Sequence, residues 1–404
     1  MAELLWGNVY FNEHFAGVLR EDPGGRVVFT YDSAYLEHNG SAAIAHTLPL
    51  QFEPHISNAG LHPFFDNLVA EGWLRDAQMR LLGKRQVSCF ELLLSFGQDL
   101  AGAISVIDPE PASIDGALLE EEDIKEMAVL AGRASLSGIQ PKLLAKETKG
   151  VLHPVKVGEI STHIIKFPSN RHDDLVVNEY LTTLALKTLL PDDRVVDLCV
   201  GEIQGFDEQV LIIKRFDRDN SGSRIHFEEF NQLLGYKSAA KYDGAYKDLA
   251  TFINTTQNCL PTENYRIYQR ILAGILLGNT DMHLKNFAML HTPSGLRLTP
   301  SYDQVAATMY DYKTLALAIY NTHNLNIGKL GPANIIRLGE EFGLSSPAIK
   351  MAVDAISKHV ETAKNVIIEA ELGTQTIKDY LITMIGKRWN NIFASIGRHL
   401  LKKQ

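Results

Sequence analysis

Cysteine is scarce in this 404-residue chain. Cys89, Cys199 and Cys259 stand alone, odd in number and with no CxxC spacing. That excludes a disulfide framework and a thiolate metal site, and points to a reducing, cytoplasmic setting. Long apolar runs are missing as well, and none approaches the roughly 20 residues a membrane helix needs. The opening residues "MAELLWGNVYF" have neither the basic start nor the small-residue cleavage site of a secretory signal. Positive charge is in deficit, with a net charge of −9. A surface that binds nucleic acid everywhere is thereby excluded, because phosphate contacts need clustered Lys and Arg. One local basic patch stands at the end of the chain: Lys387, Arg388, Arg398, His399, Lys402 and Lys403. It reads first as the cationic last turn of a helix.

What is present is ordinary globular composition, 45% hydrophobic and 22% charged, in a chain long enough for two or three domains. "NVYFNEHFAGVLR" and "GRVVFTY" read as strands with Gly24-Gly25 as a turn, and "HPFFDNLVAEGWLRDAQMRLLG" has helical spacing. "VIDPEPASIDG", rich in Pro, Asp and Ser, marks a domain boundary. An acidic helix over "LLEEEDIKEMAVLAG" is expected next, then strands over "HIIKFPS", "VGEIQG" and "QVLIIKRFD", with the helix "LVVNEYLTTLALKTLL" among them. Beyond Asp217 the pattern is mostly helical, starting with "HFEEFNQLLG". It is interrupted by one hairpin, "NFAMLHTPSGLRLTPSYD". The fold class is α+β: a small N-terminal α/β subdomain over 1–108, a strand-rich lobe over 117–213, and a mainly helical C-terminal lobe over 214–404.

The chemistry concentrates in "LLGNTDMHLKNF". A polar turn between helix and strand is one reading. The other is a phosphotransfer loop, in which Asp281 takes the proton of an attacking hydroxyl while Asn286 and Asp303 hold Mg²⁺. Asp303 lies just after the hairpin's second strand and is expected to fold back beside the loop. Such a site also needs a strand lysine for the phosphates and an acid on the next helix to hold it. Lys166 and Glu179 stand in that order. "SLSGIQPK" has one glycine and is no Walker loop, but its small residues suit an anion-cradling turn. His283 has no second ligand at metal spacing and is read as part of the loop, contacting phosphate or orienting Asp281.

Together "SGIQPK", "HIIKFP", "NEY", "IKRFDR", "FEEFNQLLG", "GNTDMHLKNF" and "LTPSYD" occur in the order found in HipA-type serine/threonine kinases, and "FFDNLVAEGWLR" resembles a segment of that family's N-terminal domain. The resemblance implies a bilobal protein-kinase-like core, distantly like the phosphoinositide-kinase branch. It implies ATP and Mg²⁺ as cofactors, with Asp281 catalytic and Asn286 and Asp303 as metal ligands. For ATP it implies Lys166, Glu179, His283, and Gly138, Gln140 and Lys142 of the phosphate loop. Lys214, Arg215 and Phe216 would form the hinge at adenine, with Asp217 and Gln232 nearby. Ser135 falls on the family's autophosphorylated serine, and Ser137 offers a second hydroxyl. Also implied are a growth-inhibiting toxin of a type II toxin–antitoxin module and a helix-turn-helix, HipB-like antitoxin. Operator DNA would be met mainly through that antitoxin, and the protein substrate would be an aminoacyl-tRNA synthetase such as glutamate-tRNA synthetase. The competing expectation is a small-molecule phosphotransferase of kinase-like fold.

Overall fold

The computed structural model describes residues 4–84, 86–110, 140–156, 158–219 and 221–401. The chain forms two compact units, one of residues 1–167 with 201–238, the other of 168–200 with 239–404.

The first unit holds two sheets. The N-terminal one is antiparallel, in the order His55–Ser57, Val27–Tyr31, His14–Glu21, Trp6–Phe11, Ile104–Ile107. "NVYFNEHFAGVLR" is therefore a hairpin rather than one strand. It reverses at Asn12, whose φ of +53° suits the short polar side chain of Asn. The helical stretch beginning at His62 splits likewise into Pro63–Asp66 and Gly72–Leu81, because Gly72 takes φ +55°. Phe29, Phe64, Phe65, Phe90 and Phe96 fill the core between this sheet and its helices, and Leu144 and Val155 join the same core.

The second sheet carries Val151–Pro154, Lys142–Thr148, His163–Lys166 and Val210–Lys214 as antiparallel neighbours. Val210, Leu211 and Ile165 are wholly buried, as the aliphatic side chains of an internal strand pair should be. The strand expected over "VGEIQG" instead occupies Leu198–Gly201. "HFEEFNQLLG" is not one helix: Phe227–Glu229 is extended and only Phe230–Leu233 is helical, with Gln232 Oε1 accepting the Glu229 N–H at 2.9 Å. The expected acidic helix of residues 118–132 lies outside the described residues, as do Ser135, Ser137 and Gly138.

The second unit is mainly helical. Leu175–Leu189 packs against Val360–Glu369, and Thr262–Leu277 against Ser346–Ser357. Its hairpin pairs Ala288–Thr292 with Gly295–Leu298, Thr292 facing Gly295 across the turn. Arg270 forks onto Asp193 at 2.6 and 2.7 Å, fixing the connection after Leu175–Leu189 against the long helix. That connection runs beside Ser301, whose N–H donates to Arg194 O at 2.8 Å and whose O accepts from Val196 N at 3.0 Å. Among the described residues no helix is long and apolar enough to cross a membrane.

Candidate active site

In the second unit the site is built from the end of a buried helix. Ile271 to Leu277 are almost all inaccessible to solvent, so the helix Thr262–Leu277 is a fixed base. It stops at Gly278, which takes φ +86° and gives its N–H to Gly274 O at 2.8 Å, while Asn279 N–H reaches the same carbonyl at 2.8 Å. This is the left-handed glycine cap that satisfies the last carbonyls of a helix. Arg388 completes it: Nη1 donates to Leu276 O at 3.2 Å and Nη2 to Thr308 Oγ1 at 2.7 Å, a cation at the negative helix end. The C-terminal basic patch loses a member here, because Arg388 is buried in this cap. Lys402 and Lys403 lie outside the described residues.

The loop after the cap is held internally. Asn279 Oδ1 accepts the Asp281 N–H at 3.1 Å, and its amide donates to Gln304 Oε1 at 3.3 Å. Thr280 Oγ1 donates to Tyr312 O at 2.7 Å. Asn286 Oδ1 accepts the His283 N–H at 3.0 Å, while its Nδ2 donates to Asp303 Oδ2 at 2.8 Å. Tyr302 OH donates to Lys285 O at 2.7 Å, so the segment after the hairpin is tied to the loop at two adjacent residues. Asp303 itself adopts φ +58°, a left-handed conformation uncommon outside glycine and short polar residues. Backbone strain of this kind gathers at functional sites.

Asp281 stands at the rim of this loop. Tyr242 OH donates to its Oδ1 at 3.0 Å, and the Tyr242 ring meets the His283 ring edge-on at 5.0 Å. Its pKa is pushed up to about 6. Desolvation by the surrounding loop is the main cause, although the residue remains exposed to solvent at the rim. The negative charge of Asp303 adds to it, while the Tyr242 hydrogen bond and the Lys241 cation pull the other way. A carboxylate poised near neutrality is suited to accept a proton. Asn286 and Asp303 present hard oxygen donors beside it, the kind of ligand Mg²⁺ takes.

The other candidates of the second unit lie on the helix Leu175–Leu189. Glu179 is buried there. Its neighbour Asn178 accepts the Ala306 N–H at 2.8 Å and donates to Tyr310 OH at 3.3 Å, joining that helix to the segment after Asp303.

In the first unit Lys142 and Lys166 face each other across neighbouring strands, both buried. Gln140 Nε2 donates to Phe167 O at 2.8 Å, closing the entry to the Lys142 strand onto the exit of the Lys166 strand.

The expected hinge is less simple. Lys214 is exposed, and Phe216 packs edge-on against Phe227 at 5.0 Å. The polar atoms of Arg215 and Asp217 are engaged in a buried charge cluster. Arg215 Nε and Nη2 donate to Asp217 at 2.9 and 2.6 Å, and Nη1 donates to Ser161 Oγ at 2.8 Å. Arg218 bridges Asp217 and Asp99 at 2.9 and 2.7 Å. Burial works against ionisation of Asp217, yet the Arg215 and Arg218 charges outweigh it and hold its pKa down at about 2. Gln232 Nε2 donates to Phe64 O at 3.0 Å, so both ends of its amide are occupied inside the unit.

Four residues escaped the sequence reading. Asn279, Gln304 and Arg388 brace the loop, and Tyr242 holds Asp281. A Gly-Asn pair at a helix end is a recognisable cap signal, whereas Tyr242 lies 39 residues from Asp281 with no motif around it.

Comparison with known proteins identifies the family. Residues 7–107 match the HipA N-terminal domain family and residues 134–364 the HipA-like C-terminal domain family. A Sinorhizobium fredii protein named as the putative kinase Y4dM is 29% identical over 83% of this chain and 85% of its own length. The serine/threonine-protein kinase toxin HipA of Shewanella oneidensis is 30% identical over 63% of this chain and 66% of its own. Among solved structures, the Shewanella oneidensis complex of HipA, HipB and operator DNA superposes on 96% of this chain and 99% of the matched chain. There the TM-score is 0.78 at 21% identity. With a family match running through more than half its length, the chain belongs to the HipA family of kinases.

Proposed function

We propose that this protein is an ATP- and Mg²⁺-dependent serine/threonine protein kinase acting as the toxin of a type II toxin–antitoxin module. The observation that carries the reading is the joining of Asp281, Asn286 and Asp303 in one braced loop, with the Asn286–Asp303 hydrogen bond at 2.8 Å. Above pH 6 Asp281 is ionised and accepts the proton of the attacking hydroxyl, while Tyr242 fixes the direction of its Oδ1. Asn286 and Asp303 would hold Mg²⁺. Lys166, with Lys142 opposite, offers positive charge to the phosphates, and Glu179 is the acid assigned to Lys166. Bound ATP supplies the phosphoryl group. His283 is assigned to the phosphates and the Lys214–Phe216 backbone to adenine, with Asp217 acting through the buried cluster that shapes this segment.

The finer reading follows the family. The substrate is an aminoacyl-tRNA synthetase, with glutamate-tRNA synthetase the first to try, and the autophosphorylated residue is Ser135 or Ser137. A helix-turn-helix antitoxin neutralises the toxin and carries it to operator DNA. The solved relative, a complex of HipA, HipB and operator DNA, supports that partnership.

The test is incubation of the chain with labelled ATP, Mg²⁺ and glutamate-tRNA synthetase, beside an Asp281→Asn variant. Label on the synthetase and on a tryptic peptide spanning Ser135 and Ser137, both absent with the variant, is expected. Label found only on a small hydroxylic compound would replace this reading with a small-molecule phosphotransferase.

A further inference from the structure

On the second unit, Lys313, Lys387 and Arg388 converge on a cavity of about 250 Å³. Tyr380 adds a polar group, Leu330 and Ile392 belong to the cavity's aliphatic wall, and no carboxylate lines it among the described residues. Lys387 and Asn391 are exposed, so the cavity opens to solvent on that side. Lys313 is ion-paired with Asp311 at 2.7 Å on the exposed rim, so a bound anion would compete with that carboxylate. Arg388 is the inner wall, nine-tenths buried. Leu276 O, Thr308 Oγ1 and Tyr380 occupy part of its five-donor fork. Burial depresses its pKa, and Tyr380 works against that shift.

Three cations around a partly apolar recess match one ligand chemistry, a small organic phosphate with its phosphate on the lysines and arginine and its body on the aliphatic wall. We propose that this cavity is a binding site for such a phosphate ester, separate from the Asp281 loop and coupled to it. The coupling runs through one side chain. Arg388 touches the cavity, holds Leu276 O and Thr308 Oγ1, and Thr308 N–H donates to Gly278 O at 3.2 Å. An anion on Arg388 neutralises its charge and stiffens the residue from which the catalytic loop departs. The binding stands without the kinase reading, and only its effect on phosphotransfer rests on it.

Phenyl phosphate and inorganic phosphate are the probes, titrated calorimetrically into the full chain and into a Lys313→Ala/Lys387→Ala variant. Both lysines are exposed, so the variant should keep its melting temperature. One saturable site for phenyl phosphate is expected, weakened about tenfold or more in the variant by loss of charge-assisted contacts. Phenyl phosphate should also bind more tightly than inorganic phosphate. Amide exchange at Gly278–Thr280 should slow when phenyl phosphate is bound. Absence of saturable binding, or equal affinity in the variant, overturns the site. Unchanged exchange under saturation overturns the coupling. A duplex DNA that binds this face while phenyl phosphate does not would overturn the ligand class.

Discussion

Asn286 holds Asp303 by a 2.8 Å hydrogen bond while its other amide atom accepts the His283 N–H at 3.0 Å. One side chain thus fixes both the loop's own turn and the acid brought in by the hairpin. In Asn286→Ala both bonds are lost, and the Asp303 carboxylate loses its anchor on Asn286. Phosphotransfer is expected to fall about a hundredfold or more, since misplacement of a site group by an ångström costs that much. The Mg²⁺ concentration for half-maximal activity should rise. Initial rates across a Mg²⁺ series check both; an unchanged metal requirement would remove Asn286 from the metal site.

Asp303 separates stability from function. At φ +58° an L-residue is strained, and glycine is not. Asp303→Gly removes that strain, worth about 1 kcal/mol, and the repulsion toward Asp281. Against this it loses the Asn286 hydrogen bond, worth about 1 kcal/mol. The melting temperature is therefore expected to stay within a few degrees of the parent while metal-dependent activity disappears. Calorimetry alongside a kinase assay reads the two quantities, and a folded, fully active Asp303→Gly would refute the metal assignment.

The pH profile should report Asp281 directly. With its pKa raised to about 6, the carboxylate is protonated and inactive below that pH, and kcat/KM should climb as pH rises through about 6. The stability sign is opposite to that of an ion-paired acid: a raised carboxyl favours the fold at low pH and loses that contribution as pH rises through 6. Tyr242→Phe deletes the hydrogen bond that holds the value down, so the acidic limb should move alkaline. A shift of one unit means about a fivefold loss of rate at pH 6 and little change at pH 8. A variant slowed equally at every pH would mean that Tyr242 does not act through the charge of Asp281.

The sequence made the loop visible and hid its supports, for a physical reason. Apolar periodicity from Ile267 to Leu277 followed by Gly278 announces a buried helix and its stop, and the polar residues after it must then converge. The hairpin returning Asp303 is legible from its turn. Supports made by long-range contact leave no such trace. Tyr242, Gln304 and Arg388 reach the site from other parts of the chain, and nothing local distinguishes them from surface residues. "KRFDR" misleads in the other sense, because a run of charges usually lies in water, whereas Arg215, Asp217 and Arg218 are buried against Asp99. Short elements fail for lack of pattern: three extended residues, Phe227–Glu229, carry no measurable period.

Gly278 admits no side chain. A Cβ there would lie 2.5 Å from Thr308 Oγ1 and 2.6 Å from Arg388 Nη1, on a residue already at φ +86°. Gly278→Ala should cost about 1–2 kcal/mol from the left-handed conformation alone, and more from displacing the Arg388 cap. Activity should drop further than stability, because the loop leaves the helix at this residue. Thermal unfolding and kcat measured on the same preparation check it; an alanine variant with parental kcat would show that the cap does not set the loop.

Acid should attack the first unit through its buried charges. Asp217 is held down at about 2 by Arg215 and Arg218, against about 3.9 for an unfolded aspartate. A depressed carboxyl contributes stability that is complete above the unfolded value and is lost as pH falls from about 4 toward 2. For Asp217 the contribution is about 2–3 kcal/mol. Asp217→Asn leaves Arg215 and Arg218 buried against Asp99, which Arg224 also approaches. Breaking such a pair by removing one partner costs about 3–5 kcal/mol at neutral pH. The variant's stability should accordingly vary less between pH 4 and pH 2.5 than the parent's. Urea unfolding at several pH values measures both slopes. Parallel pH dependence in the two proteins would transfer the acid sensitivity to Asp99, the other carboxylate whose pKa these arginines lower.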